Sequence, residues 1–295
     1  MTSRFQSVFR SGLFEDQRIL VTGGGSGIGR CIAHELASLG ATPLLLGRTL
    51  AKLERVQTEI IEDKGRAEIA ACDVRDAPSV DETVRAFVAD GRIDGLVNCA
   101  GGQFPALLTE TSANGFDAVV RNNLTSTFIV SNAVFLHSMQ QHGGAIVNIT
   151  ADCVGGMPLM GHSGAARAGV ENLTATAALE WASQGVRVNA VAPGVIASSG
   201  FDEYTDERMI HALKKFPDHT PLGRIGTEAE LSAAVCFLLS EASYFVTGQV
   251  WRVDGGFGLK TNTPMFEMTQ PIRNPAYNGF HRSRLPTVLK DDSGV

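Results

Sequence analysis

Tyrosine and lysine are the side chains this chain does almost without. Its 295 residues include three tyrosines, Tyr204, Tyr244 and Tyr277, and no lysine lies between Lys64 and Lys214. None of the three has a lysine four residues on, so no helix can stack a phenol over an ammonium on one face. The five cysteines, Cys31, Cys72, Cys99, Cys153 and Cys236, show no C-x-x-C spacing. That scatter excludes a structural zinc and a disulfide framework, and points to a reducing compartment. No apolar run reaches transmembrane length, and the N-terminus MTSRFQSVFRSG lacks a continuous apolar signal core. The C-terminal SGV is not a peroxisomal address of the SKL type. The formal charge of −6 is interspersed, with no basic stripe for nucleic acid and no polybasic patch for a membrane. What remains is the expectation of a cytoplasmic protein that binds no metal and works on a small molecule.

Regular alternation is present instead. RILVT (18–22) is a short apolar run ending in glycines, the mark of a buried parallel strand feeding a tight turn. A helix is expected from Gly27 to about Leu39, then TPLLLG as strand, LAKLERVQTEII as helix, AEIAACD as strand and APSVDETVRAFVAD as helix. IDGLVNCAG, AIVNIT, VRVNAVAPG and GQVWRVDGG continue the strands. Long helices are expected over 112–140 and 160–183, and a last one in TEAELSAAVCFLLS. Strands alternating with helices imply an α/β fold: a single Rossmann-like domain with a doubly wound parallel sheet of about seven strands. The expected division is an N-terminal extension (1–17), the sheet domain (18–258) and a C-terminal tail or arm (259–295). In that last segment periodicity ends, and Pro264, Pro271, Pro275 and Pro286 mix with Phe266, Tyr277 and Phe280. It reads either as a surface tail or as an arm docked on a neighbouring subunit, because its aromatics favour burial.

TGGGSGIG (22–29) follows a strand and opens a helix, the context that makes a glycine pattern a phosphate-binding turn. Gly23 permits the turn, Gly27 lets backbone approach a pyrophosphate and Gly29 lets helix meet sheet; Gly25, Ser26 and Ile28 complete the cradle. Asp73 and Val74 end the third strand, and Asn98, Ala100 and Gly101 end the fourth. Ligands of such sheets bind off the carboxyl ends of the strands, so these residues converge on one crevice for a dinucleotide. Sheets that bind NAD carry an acid at the end of the second strand; here Gly47 and Arg48 stand there. A cation without a carboxylate favours NADP(H) over NAD(H), although Arg48 could also stack on adenine.

In order, TGGGSGIG, NCAG, RNNLTSTF, IVNIT, RVNAVAPG and VDGG make the chain resemble the short-chain dehydrogenase/reductase family from Arg18 to Gly256. The resemblance implies that Asn98 stabilises the sheet, that Asn123 holds a water in a proton relay, and that Pro193, Gly194 and Ile196 face a nicotinamide. It also implies dimers or tetramers, up to a homotetramer. The family's Ser-Tyr-Lys set falls here on Ala151, Ser163 and Arg167. Within the family, AGGQF, HSGAARAGV, NLT, CFLLS and VTGQ are similar to the trans-2-enoyl-CoA and dienoyl-CoA reductase branch, and also to citronellol-type dehydrogenases of terpene breakdown. A tyrosine proposed for the enoyl reductases is replaced here by Glu171.

Oxidising an alcohol requires a base to remove its proton, and a serine hydroxyl is a poor one. Reducing a C=C bond conjugated to a thioester requires only hydrogen-bond donors for the oxygen that gains charge. The expected activity is therefore an NADP(H)-dependent enoyl-CoA reductase in lipid metabolism, with Ser163, Arg167 and Asn123 catalytic and Arg167 also holding the nicotinamide ribose. The alternatives are a dehydrogenase of allylic or acyclic terpene alcohols, and a non-catalytic NADP(H)-binding protein. Quieter roles stay open: Ser163 as a helix-start hydroxyl, Arg167 as a ribose ligand only, Asn123 as a backbone bridge and His162 as packing. Asp152 and Cys153 read as pocket lining, and Tyr204 as part of a substrate cover or as a replacement acid.

Overall fold

The computed structural model describes residues 4–259, 262–263, 266–267 and 275–290. Strands β1 (Arg18–Thr22), β2 (Thr42–Gly47), β3 (Glu68–Ala71), β4 (Gly95–Asn98), β5 (Gly144–Ile149), β6 (Val186–Pro193) and β9 (Val250–Val253) form one sheet in the order β3-β2-β1-β4-β5-β6-β9. All its pairings are parallel. The expected seven-stranded sheet is thus the one observed. Strand order reverses between β1 and β4, and the ends of those two strands face the cleft that holds the glycine turn.

Helices cover both faces. The helices α1 (Gly27–Ser38), α2 (Leu50–Glu62) and α3 (Ala77–Ala89) follow the first three strands. The long helix expected over 112–140 is built in pieces: α4 (Ala113–Val120), α5 (Ser126–Val134) and α6 (Gln140–His142), joined by π-helical turns at Arg121–Thr125 and Phe135–Met139. The first of these turns carries Asn123, and π-turns are frequent at functional positions. α7 (Gly161–Glu180) runs on from the loop after β5. The core lies in two layers: Ile19, Val21, Ile32, Leu36, Leu45, Val97, Val147 and Leu231 on one face, and Leu20, Leu44, Leu46, Leu96, Val130, Ile146 and Val188 on the other. Because both faces are covered, residues of opposite pleat are equally apolar, which is why these strands read as continuous runs.

Two pieces were not expected from sequence. A short pair, β7 (Ile196–Ala197) with β8 (Gly226–Thr227), closes a loop that contains α8 (Glu207–His219). The helix ERMIHALKKFPDH is rich in charge and contains Pro217, which hid it. Met209, Leu213 and Phe216 nevertheless recur at helical spacing and line the cleft. α9 (Glu228–Leu239) then begins with a capping box, in which Thr227 accepts from the Glu230 N–H and Glu230 accepts from the Thr227 N–H.

Of the expected tail or arm, residues 275–290 lie on the chain's own helices; Pro264, Pro271 and the SGV terminus lie outside the described residues. Phe280 is buried, stacked on Phe5 at 5.7 Å and covered by the Arg30 guanidinium at 4.8 Å from its ring centre. Arg282 donates to Asp63 at 2.8 Å and to Glu62 at 2.9 Å on α2. His281 and His34 both reach the Asp63 carboxylate, at 3.0 and 3.3 Å. Further along, the Thr287 N–H donates to Asp202 in the substrate-side loop at 2.6 Å. The physical reason is the one that made an arm plausible: an aromatic and an arginine find an apolar seat and two carboxylates, here within the same chain.

This latch is sensitive to acid. Burial acts to raise Glu59, but hydrogen bonds from His34 and Arg30 outweigh it and hold the carboxyl down at about 2. Burial likewise lowers His34, which therefore stays neutral. Both groups bind protons more readily in the unfolded chain, so stability falls as pH drops below about 6.5, where free histidine titrates, and again below about 4.5 as the unfolded carboxylate protonates. Their share is read against a chain lacking them: the gap in urea midpoint between wild type and a His34→Gln/Glu59→Gln variant should shrink from pH 7.5 through 5.5 to 4. Phe280→Ala should cost about 3 kcal/mol in the same assay, from loss of a buried ring.

Candidate active site

At the phosphate end, the main chain is shaped for close approach. Gly23 has φ +69° and its N–H donates to the Leu46 carbonyl at 2.8 Å, so the turn folds back over β2. A Cβ on Gly29 would stand 2.4 Å from the Gly23 carbonyl oxygen, which no side chain permits. Ser26 caps α1 in extended conformation without a side-chain capping bond, and the first turn of α1 contains no acidic residue. The N–H groups of that turn and its dipole therefore face the cleft with nothing of their own helix to repel an anion. Thr22 accepts from the Cys99 and Ala100 N–H groups at 2.9 and 3.0 Å, locking the ends of β1 and β4 together; sequence reading passed over this threonine.

Around the outer end of the cleft stand Gly47, Arg48, Lys52 and Arg55, with Asp73 and Val74 opposite. Arg48 is exposed, and Arg55 donates to the Gly25 carbonyl at 3.3 Å. Asp73 is gripped by Arg75 through contacts of 2.9 and 2.6 Å, which hold its carboxyl at about 2, ionised at any working pH. The end of β2 itself bears no carboxylate, as the sequence indicated. Asn98 is different: its side chain is buried and donates to Ser131 and to Asn148, both at 2.8 Å, and Asn148 donates on to Thr174 at 2.9 Å. It joins β4, β5, α5 and α7 and does not line the cleft, so it belongs with the scaffold and not with the ligand contacts.

The chemical end lies where α7 starts. Ser163 is in the first turn of α7, with Arg167 one turn later, and both line the cleft beside Thr150 and Ala151. Arg167 is buried to 9% exposure and donates to the Ile149 carbonyl at 2.7 Å. Its Nε has no hydrogen-bond partner, and among the described residues no carboxylate pairs with the guanidinium. Burial lowers its pKa, with Cys99 and Cys153 acting weakly the other way. Arginine keeps its charge even so. A lone buried cation with an orphaned N–H is expensive, and an electronegative ligand group in the cleft would relieve it. Together with the Gly23–Gly29 cradle, this fits a nicotinamide dinucleotide: the glycine turn would hold the pyrophosphate, and Arg167 the ribose or substrate oxygens near the ring.

The side-chain amide of Asn123 is engaged by backbone. It is fully buried, donates to the Gly102 and Val119 carbonyls at 2.9 and 2.8 Å, and accepts from the Gly102 N–H at 3.2 Å. Both of its N–H donors are consumed by backbone. It is a clamp on the loop after β4, and Gly101 is squeezed between it and Arg167, since a Cβ there would lie 2.6 Å from each. His162 is buried edge-on against Phe104 at 4.5 Å and accepts from the Ser163 N–H; burial lowers its pKa, so it packs as a neutral ring. Burial lifts the Cys99 thiol to about 12, and with it any thiolate chemistry out of reach.

Pro193 and Gly194 end β6, and the Pro193 carbonyl accepts from the Asp152 N–H at 3.1 Å. Gly194 is pressed against Asp254, where a Cβ would meet the Asp254 Cα at 2.7 Å, and Ile196 is buried in β7. Asp152 was read only as lining. Its side chain is 6% exposed in the cleft wall, and Oδ1 faces the Arg252 Nε at 3.4 Å as an ion pair without hydrogen-bond geometry. Tyr204 accepts from Gln103 Nε2 at 3.0 Å in the segment that covers the site. The whole cleft measures about 1380 Å³, and Phe104, Met157, Met160, Leu213, Phe216 and Phe257 supply apolar lining.

Residues 23–258 match a family model described as enoyl-(acyl carrier protein) reductase. A peroxisomal 2,4-dienoyl-CoA reductase of Danio rerio, designated (3E)-enoyl-CoA-producing, is 38% identical over 264 residues, 87% of this chain and 86% of the relative. The solved citronellol catabolism dehydrogenase of Pseudomonas aeruginosa PAO1 is 50% identical with a TM-score of 0.78, covering 86% of this chain and all of its own. A candidate NAD(P)-dependent gluconate 5-dehydrogenase of Beutenbergia cavernae, solved with NADP at low occupancy, is 33% identical with a TM-score of 0.77 over 84% of this chain and 99% of its own. Sheet order, glycine turn and matched span agree: the chain belongs to the short-chain dehydrogenase/reductase family of oxidoreductases.

Proposed function

We propose that the protein is an NADP(H)-dependent reductase of the carbon–carbon double bond in an α,β-unsaturated acyl thioester, either an enoyl-CoA or a 2,4-dienoyl-CoA. When bound, the reduced nicotinamide supplies a hydride to an alkene carbon conjugated with the carbonyl. Negative charge then gathers on the thioester oxygen, and the residues of the site have only to receive it. The observation that carries this reading is the uncompensated guanidinium of Arg167, one helical turn from the Ser163 hydroxyl in the cleft wall. Ser163 donates a hydrogen bond to the developing oxyanion, and Arg167 supplies positive potential in a site of low dielectric. No side chain has to remove a proton from the substrate. The proton that completes the product comes from cleft water, because both N–H groups of Asn123 are taken by backbone carbonyls.

Arg48, Lys52 and Arg55 favour the 2′-phosphate of NADPH over the bare ribose of NADH. The dienoyl-CoA reductase of Danio rerio supports the substrate class. The likeness to the citronellol catabolism dehydrogenase favours a second reading, oxidation of an acyclic terpene alcohol, and the apolar lining of the cleft suits either hydrocarbon. That reaction needs a base, and the phenol of Tyr204 is tied to Gln103 in the cover segment. We also place the enzyme in the cytoplasm as a homo-oligomer. Phe128, Leu136 and Leu179, half or more exposed on the long helices, are the faces two copies would share.

With purified protein and NADPH, crotonyl-CoA and longer enoyl- and dienoyl-CoA esters should deplete absorbance at the nicotinamide band. Inactivity across several chain lengths, or faster turnover of citronellol with NADP⁺, rejects the proposal. Ser163→Ala should lower kcat by about 10²-fold, the scale for losing one oxyanion donor, with the Kd for NADPH unchanged. Arg167→Leu should weaken both kcat and cofactor binding, and an unaffected kcat would refute its electrostatic role.

A further inference from the structure

The first turn of α1 is free of acids, yet the helix packed beside it brings one to the same place. Glu228, the first residue of α9, is 94% buried by the complement of its 6% exposure. A Cβ on Gly27 would stand 3.9 Å from its Oε1, and only 3.5 Å from the Ser199 hydroxyl on the cleft side. Among the described residues the Glu228 carboxyl forms no hydrogen bond and no ion pair. The cation nearest to it in effect, Arg30 of α1, is turned away, its Nε 2.7 Å from Glu59 and its guanidinium over Phe280. The other groups that face it are the thiols of Cys31 on α1 and Cys99 after β4, both kept neutral by burial. Ser198 and Ser199 contribute hydroxyls only, and Glu230 on its own helix is engaged by Arg224 at 2.6 Å.

We propose that Glu228 is a positioning residue of the pyrophosphate site: the dinucleotide binds to the form in which this carboxyl is protonated, and binding from alkaline solution takes up one proton. A diphosphate at the α1 N-terminus and a buried carboxylate behind Gly27 are like charges with no intervening cation. Protonation removes the repulsion and turns the carboxyl into a donor. Burial, against the opposing charge of Arg30, already lifts its pKa to about 7, so the switch falls within the working range.

The inference rests on the family's cofactor and not on the thioester substrate, and binding is read without turnover, so the two proposals fail separately. The full chain would be titrated with NADPH by calorimetry between pH 7.5 and 9, above the titration of the 2′-phosphate itself, in two buffers of different ionisation enthalpy. Wild type should show uptake of close to one proton, with Kd weakening by up to about tenfold per pH unit. Glu228→Gln should bind with a flat pH profile and no buffer-dependent heat. Absence of proton uptake in wild type, or the same slope in the glutamine variant, overturns the proposal; should that variant not fold, the wild-type proton count alone decides.

Discussion

A guanidinium buried without a carboxylate is the constraint around which the chemical half of this molecule is arranged. Arg167 reaches the sheet through one hydrogen bond to Ile149 and otherwise points its charge at a cleft. Such a group destabilises the chain that holds it unless a ligand completes it. The surrounding parts fix it in that state: Gly101 has no side chain because one would collide with both Arg167 and Asn123, and Asn123 clamps the loop that carries Gly101. The π-turn at Arg121–Thr125 sets Asn123 among these partners. At the position where the family motif has a lysine stands a planar cation held to the sheet by the Ile149 carbonyl.

The scaffold makes that placement possible. Asn98, Asn148 and Thr174 form a buried polar chain from the end of β4 through β5 to the middle of α7, which ties that helix to the sheet. Thr22 couples β1 to β4 from the other side. The cover segment is tied at both margins, by Tyr204 to Gln103 and by Asp202 to the C-terminal segment. That segment in turn is anchored on α1 and α2 through Phe280 and Arg282, so the cofactor end and the substrate cover are physically joined.

The sheet and the phosphate turn were legible because they depend on local rules: apolar runs of strand length, and glycines where backbone must pass backbone. Ser163 and Arg167 were picked out through the family resemblance, and the fold brings both to the cleft wall. Three things were not legible, each for its own physical reason. Asn98 and Asn123 look like ligand contacts in the motif, and only the fold shows that other protein groups take up their amides. Helix α8 is amphipathic, but its charge and its proline mask the apolar stripe that Leu213 and Phe216 turn toward the cleft. The ion pair of Asp152 with Arg252 has no sequence signal beyond the position of Asp152 in the loop after β5.

The account requires that hydride reach a carbon of the alkene while the carbonyl oxygen is merely held. The most direct measurement is turnover of an α,β-unsaturated acyl-CoA with NADPH carrying deuterium at nicotinamide C4, followed by mass spectrometry and NMR of the product. One deuterium on a former alkene carbon, none on the carbonyl carbon and an intact thioester is the predicted result. Deuterium on the carbonyl carbon, or exchange confined to an alcohol product, would contradict it.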